Sequence, residues 1–163
     1  MTEFWLIAGI IVVVAGVLVF FFYNPWRSRR GDAQFARARA AFRIRREWLE
    51  ARFVDLASGS GKPRGLRWVD CQFDNDITYA RDRGTRDVSA LVAITIRFEA
   101  IEGGPMEDVE AVGNLRYATA VFRYSGRQWT TEGRAIFNLN PTEAIEHFRS
   151  SLIIIGQEPA DQA

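Results

Sequence analysis

Hydrophobic residues follow three different spacings along the chain. Residues 4–23 form an unbroken apolar run without a charged side chain. Residues 35–56 place apolar side chains every three or four positions, and residues 66–139 alternate apolar with polar side chains. In chain order, these patterns predict a membrane-spanning helix, an amphipathic helix and a set of β-strands.

The unbroken run is long enough to cross a bilayer. Its twenty residues, 4–23, would span roughly 30 Å as a helix. Trp5, Tyr23 and Trp26 lie at its ends, as is typical of residues at membrane interfaces. The segment before the run carries Glu3 and no Lys or Arg, which disfavours a cleaved signal peptide. We therefore predict a retained transmembrane helix.

The charges that flank this run predict its orientation. Arg27, Arg29 and Arg30 follow it at once, within a basic juxtamembrane segment at 24–31. Because cytoplasmic flanks are enriched in Lys and Arg, residues 1–3 are expected outside the cytoplasm and the rest of the chain inside it. The expected location is a single-pass protein of the plasma or inner membrane.

Small residues recur on one face of the predicted span. Ala8 and Gly9 lie seven residues before Ala15 and Gly16. Such a face allows two transmembrane helices to approach closely. The alternative is that these residues have no special role, since glycine and alanine are common in membrane spans.

An amphipathic helix is predicted for residues 32–57. Its apolar stripe consists of Phe35, Ala38, Phe42, Leu49, Phe53 and Leu56. Ala41, Ile44 and Trp48 extend the apolar surface on another side. The Gly- and Pro-containing linker at 58–65 ends the helix. A helix with this much apolar surface has to pack on another element.

Alternating residues predict strands within 66–139. The predicted strands are 66–73, 77–81 and three longer runs joined by short turns. Gly113 and Gly133 interrupt strand patterns, and an interior glycine usually marks a bulge or bend. The sheet is therefore expected to be curled.

The end of the chain is predicted as a helix at 141–155, capped by Asn140 and Glu143, followed by a loose tail at 156–163. Residues 151–155 either extend this helix or form a short strand. The predicted fold class of the cytoplasmic domain, 32–155, is α+β. A long amphipathic helix would pack on a curled antiparallel sheet of about five strands, with a short C-terminal helix, all following the transmembrane helix.

This element order over residues 32–140 resembles that of the cystatin-like and NTF2-like α+β cone folds. Membrane-anchored relatives, the Tim44-like domains, share an anchor followed by a basic helix and a sheet. The resemblance is carried by element order and not by a diagnostic motif. It implies a concave sheet face that holds a small ligand. The aromatic residues available to line such a pocket are Trp68, Phe98, Tyr117, Trp129 and Phe137; the same residues also suit an ordinary core.

The net charge of +1 conceals an uneven distribution. Residues 27–52 contain nine Arg and three acidic residues, whereas residues 57–163 contain twelve cationic and fifteen acidic residues. A basic segment beside a bilayer is typical of contact with anionic lipid. The candidate contacts are Arg27, Arg29, Arg30, Arg37 and Arg43. The acidic balance of the folded part disfavours nucleic acid as a partner.

The chain offers little material for a catalytic or metal site. Cys71 is the only cysteine and His147 the only histidine, so an internal disulfide and the ordinary zinc sites are excluded. The "SGSGK" segment at 58–62 lacks the spacing of a phosphate-binding loop. We predict no cofactor.

Three functional hypotheses remain. The first is a membrane-anchored, non-catalytic scaffold or adaptor whose cytoplasmic domain binds another protein or a second copy of itself. The second is a cone-shaped domain of the NTF2-like type that binds or converts a small molecule. The third is an arginine-rich juxtamembrane helix that binds anionic lipid.

Overall fold

The computed structural model describes the backbone of residues 2–60 and 64–159, and the side chains of residues 31–60 and 64–159. A short 3-10 turn at Glu110–Gly113 precedes the third strand. The other elements are, in order, α1 (Thr2–Gly59), β1 (Leu66–Asp82), β2 (Val88–Ala100), β3 (Arg116–Ser125), β4 (Gln128–Phe137), α2 (Pro141–His147) and β5 (Leu152–Glu158).

Helix α1 runs through two units, which divide between Ala40 and Ala41. In the first unit, α1 is the one element described. The second unit contains the rest of α1, the sheet and α2.

The predicted fold class is wrong in one respect for the described residues. No helix within 31–60 and 64–159 is both long and apolar enough to cross a membrane. The described part of α1 carries ten charged side chains between residues 32 and 55, which hydrocarbon would not accommodate. The predicted transmembrane segment, 4–23, lies outside the described side chains, and the orientation derived from its flanks stays a prediction.

The five strands form one antiparallel sheet in the order β4-β3-β2-β1-β5. This confirms the α+β architecture with a five-stranded antiparallel sheet. Residues 66–73 and 77–81 belong to one strand, β1, rather than to two separate strands. A register shift against β2 between Phe73 and Ile77 accommodates the polar residues between the two predicted strands, and a second shift lies between Trp68 and Asp70.

The part of α1 in the second unit packs on one face of the sheet. Phe42, Leu49 and Phe53 are fully buried. The Phe42 ring lies 4.8 Å from the Trp129 ring and 5.4 Å from the Phe122 ring, centroid to centroid. These edge-on contacts are favourable for aromatic pairs. Packing of the predicted stripe on the sheet is confirmed for these three residues.

Helix α2 packs on the opposite face of the sheet. Its start is the predicted capping box, in which the Asn140 side chain accepts from the Glu143 N–H and the Glu143 side chain accepts from the Asn140 N–H, both at 2.9 Å. The small apolar cluster below it contains Ala80, Leu91, Ala144 and Ile145, with Ile136, Leu139 and Leu152 packed against it.

The last strand replaces the second half of the predicted C-terminal helix. Helix α2 ends at His147 instead of residue 155. β5 pairs antiparallel with β1, with Ile153 opposite Arg81 and Glu158 opposite Ile77. The strand alternative for residues 151–155 is therefore the correct one, because the exposed edge of β1 provides the backbone partners.

The two glycines expected inside strands have different roles. Gly133 lies within β4 at φ +68°, opposite a register shift between Ala120 and Phe122 of β3. This confirms the bulge. A Cβ at Gly133 would lie 2.6 Å from the backbone nitrogen of Ala57, so the glycine permits the close approach of α1. Gly113 instead belongs to the 3-10 turn before β3.

Candidate functional site

The five aromatic residues proposed to line a pocket do not share one cavity. Trp68 and Phe98 lie 5.4 Å apart, ring to ring, and Phe98 lies 6.4 Å from Phe137. Phe53 of α1 lies 6.5 Å from Trp68, ring to ring, so α1 packs against this group at Trp68. Side chains of α1 thus occupy the sheet face on which a cone fold would place its ligand.

The other two aromatic residues lie elsewhere. Trp129 packs on Phe42 and on Tyr124, at 4.8 and 5.2 Å between rings. Tyr117 lies on the α2 face of the sheet, where 68% of it is exposed. It lines a groove of about 530 Å³ together with Gln72, Asp74, Thr95, Asn138 and Glu143.

The carboxylates of this groove already serve the local backbone. Asp74 accepts a hydrogen bond from the N–H of Asn75 at 2.7 Å, and Glu143 completes the cap of α2. Carboxylates with these partners stabilise a turn and a helix start. The groove therefore contains polar groups with structural roles and presents no arranged set of groups aimed at a ligand.

A buried charge network joins α1 to both strands at one edge of the sheet. The Glu158 carboxylate is almost fully buried and accepts from the Arg43 guanidinium and from the Tyr79 hydroxyl, the latter at 3.1 Å. Because a buried carboxylate is costly without partners, Arg43 and Tyr79 have a structural role here. The three residues tie α1, β1 and β5 together.

This network bears on the arginines predicted to contact lipid. Arg43 pairs with Glu158 through Nε and Nη2, and about half of its side chain stays exposed. Arg37 is exposed and lies in the first unit. Arg27, Arg29 and Arg30 lie outside the described side chains, so their role stays a prediction.

Other arginines of α1 also have protein partners. Arg46 donates to Glu50 at 2.7 Å and to the carbonyl oxygens of Asp74 and Asn75 in β1. It therefore contributes a second polar link between the helix and the sheet.

The lone cysteine is poorly suited to covalent chemistry. Burial, together with the negative charges of Asp70 and Glu50, raises the pKa of Cys71 to about 12. The thiol stays protonated at neutral pH, whereas the thiolate is the nucleophile. His147 is exposed and its ring lies 4.9 Å from that of Phe148. Among the described residues, no three His, Cys, Asp or Glu side chains are grouped to hold a metal ion.

The outer surface of α1 carries the candidate functional site. Ile44 and Trp48 lie one helical turn apart, and 85% and 59% of their surfaces are exposed. Ala41 precedes them on the same side and Ala51 follows. We call these four residues the outer patch. By helix geometry, the outer patch lies about 130° around α1 from the buried stripe.

Charged residues border this patch on both sides. Glu47 lies on one side, and Arg45 and Arg52 lie on the other, all exposed. The sequence indicated an apolar surface here but did not make these residues candidates for a site. The signal that identifies them is the spacing of the apolar residues, which repeats every three and four positions away from the buried stripe.

Comparison of the chain with protein families, curated proteins and solved structures finds no match. The resemblance to NTF2-like and cystatin-like domains stays a prediction from element order. The predicted packing face at Ala8, Gly9, Ala15 and Gly16 lies outside the described side chains.

Proposed function

We propose that this domain is a scaffold or adaptor that binds a protein partner through the outer patch of α1. The observation that carries the proposal is the exposure of Ile44 and Trp48 on adjacent turns of a helix whose opposite side is buried. Contiguous exposed apolar residues with a charged border are characteristic of protein interaction sites. Tryptophan is also among the residues that contribute most to binding energy.

The fold holds this patch rigidly. Phe42, Leu49 and Phe53 fix α1 on the sheet, while Arg43 and Arg46 connect it to β5 and β1. A preorganised surface loses little conformational entropy when a partner binds. The patch is therefore better suited to docking than an apolar residue on a loop would be.

The proposal is tested by capturing partners with the full chain after crosslinking in cells. The variant carries Ile44→Ala and Trp48→Ala. The matched control carries Leu115→Ala, since Leu115 is also exposed, at 55%, but lies in the loop just before β3. We expect the captured amount of the stoichiometric partner, whether another protein or the same chain, to fall at least tenfold for the double variant. The captured amount should not fall for the control. Equal recovery of the partner with the original chain, the double variant and the control would refute the role of the patch.

A further inference from the structure

We infer that the partner of the outer patch is a second copy of this chain, with the two α1 helices side by side and parallel. This inference rests on the proposed function and names its partner. Three observations on the described part of α1 support it: the spacing of the patch residues, the charges beside them and the accessibility of those charges.

The spacing of the outer patch is that of a coiled-coil seam. Ala41, Ile44, Trp48 and Ala51 are separated by three, four and three residues. They therefore occupy successive a, d, a and d positions of a heptad, which face a partner helix. The large buried side chains of α1 lie at other positions, with Phe42 and Leu49 at b and Phe53 at f. One helix can therefore pack on the sheet and form the seam at the same time.

The charges beside the seam favour a parallel pair. Glu47 occupies a g position, and Arg45 and Arg52 occupy e positions. In a parallel pair, a g residue faces the e residue five positions later in the other helix. Glu47 then meets Arg52 of the partner subunit, and symmetry produces this contact twice.

An antiparallel pair places like charges together. In that arrangement g positions face g positions and e positions face e positions across the seam. Glu47 would meet Glu47 of the partner subunit, and Arg45 would meet Arg45 of the partner subunit. Like-charge contacts of this kind select against an arrangement.

The charged groups are accessible to such a partner. Arg52 pairs with Asp55 in its own helix at 3.2 Å, and both side chains are at least half exposed. An exposed ion pair of this type is weak, so its exchange for a contact with the partner's Glu47 costs little. The seam spans eleven residues, or about 16 Å of helix, which predicts a weak, reversible dimer at the small end of known interfaces.

The first experiment measures the mass of the purified full chain over a wide concentration range, by sedimentation or light scattering. We expect a monomer that becomes a dimer as concentration rises. Ile44→Glu combined with Trp48→Glu should raise the dimer dissociation constant at least tenfold, because it places four carboxylates in an apolar seam. Leu115→Glu is the matched control and should leave the constant unchanged. Thermal unfolding of each variant verifies the fold.

A charge exchange tests the orientation. Glu47→Arg alone should weaken the dimer, and so should Arg52→Glu alone, because each creates a like-charge contact in the parallel pair. The two changes together should restore the dimer to within about threefold of the original constant, since the exchanged pair is again attractive. Dimers weakened further by the double exchange would overturn the parallel arrangement.

Disulfide formation provides an independent measure of orientation. In a Cys71→Ala background, Ile44→Cys should crosslink to its own copy, because d positions face each other in a parallel pair. Thr130→Cys, on the exposed surface of β4, is the control and should not crosslink. Crosslinking only in a mixture of Ile44→Cys and Trp48→Cys would show an antiparallel pair and overturn the inference.

The outcomes separate this inference from the proposed function. A chain that stays monomeric at all concentrations, or a dimer unaffected by Ile44→Glu and Trp48→Glu, overturns the second copy as partner. If the chain is monomeric but replacement of Ile44 and Trp48 still abolishes crosslinking to another protein, the adaptor function is supported and the partner of the outer patch is that other protein. If replacement of Ile44 and Trp48 abolishes the dimer but leaves binding of all other partners unchanged, the inference is supported.

Discussion

The two sides of α1 contain similar residues in opposite environments. Facing the sheet, Phe42, Leu49 and Phe53 are fully buried, while Ile44 and Trp48 on the outer side are mostly exposed. All five belong to the same short stretch of one helix, so helix propensity and hydrophobicity do not distinguish them. The difference lies in what each side meets. Apolar residues on the first side stabilise the domain, and those on the second are available to a partner.

The inner side connects strands that are distant along the chain. Phe42 contacts rings of β1, β3 and β4, at Tyr79, Phe122 and Trp129. Phe53 contacts Phe73 of β1 at 5.7 Å and Phe122 at 5.8 Å. Removing one of these rings therefore affects the contact between α1 and several strands at once.

The largest expected effect is from Phe53→Ala. The substitution leaves a cavity between α1 and the sheet, and losses of about 3–5 kcal/mol in the free energy of unfolding are typical for such changes. Urea denaturation monitored by tryptophan fluorescence measures it. Phe53→Leu is the control and should cost less than half as much. A loss below about 1 kcal/mol for Phe53→Ala would contradict the buried packing of this ring.

A smaller effect is expected where the end of α1 approaches β4. Gly133→Ala should lower the free energy of unfolding by about 2–3 kcal/mol, because a positive φ is strained for alanine and its Cβ would meet the backbone of α1. Gly113→Ala is the matched control, since nothing lies within 4 Å of a Cβ there and its φ is ordinary. Equal stability of both variants in urea would show that α1 does not approach β4 this closely.

The charged contact at the edge of α1 provides an intermediate case. Glu158→Gln removes the buried charge that accepts from Arg43 and Tyr79, and we expect a loss of about 1–3 kcal/mol. Glu99→Gln disrupts an exposed pair with Arg67 and should cost no more than about 0.5 kcal/mol. A double-mutant cycle with Arg43→Gln isolates the coupling of Arg43 with Glu158. Zero coupling in that cycle would indicate that the two residues are not in contact.

Local patterns in the sequence predicted the elements well, and long-range partners less well. The stripe of Phe42, Leu49 and Phe53 and the capping box at Asn140 depend on residues a few positions apart, and both were confirmed. The Arg43–Glu158 contact joins residues 115 positions apart. It exists because β5 lies beside β1, and no local pattern determines that order.

The candidate site shows the same limit. Ile44 and Trp48 were identified from the sequence as apolar surface, but a spacing pattern does not reveal which side of a helix the sheet will cover. Only the position of α1 on the sheet identifies the second side as exposed. Once that side is known to be exposed, the charges of Glu47 and Arg52 indicate how a second helix would be oriented against it.

The smallest expected effect is from the outer patch itself. At concentrations where the chain is monomeric, Ile44→Ala and Trp48→Ala should each change the free energy of unfolding by no more than about 0.5 kcal/mol, because an exposed side chain loses few contacts. At high concentration the original chain should unfold at a higher temperature, since a dimer of the folded state stabilises it by mass action. The Ile44→Ala, Trp48→Ala double variant should lose that concentration dependence, which thermal scans at two concentrations measure. A large loss of stability in the monomer would instead place these residues in the core and remove the distinction between the two sides of α1.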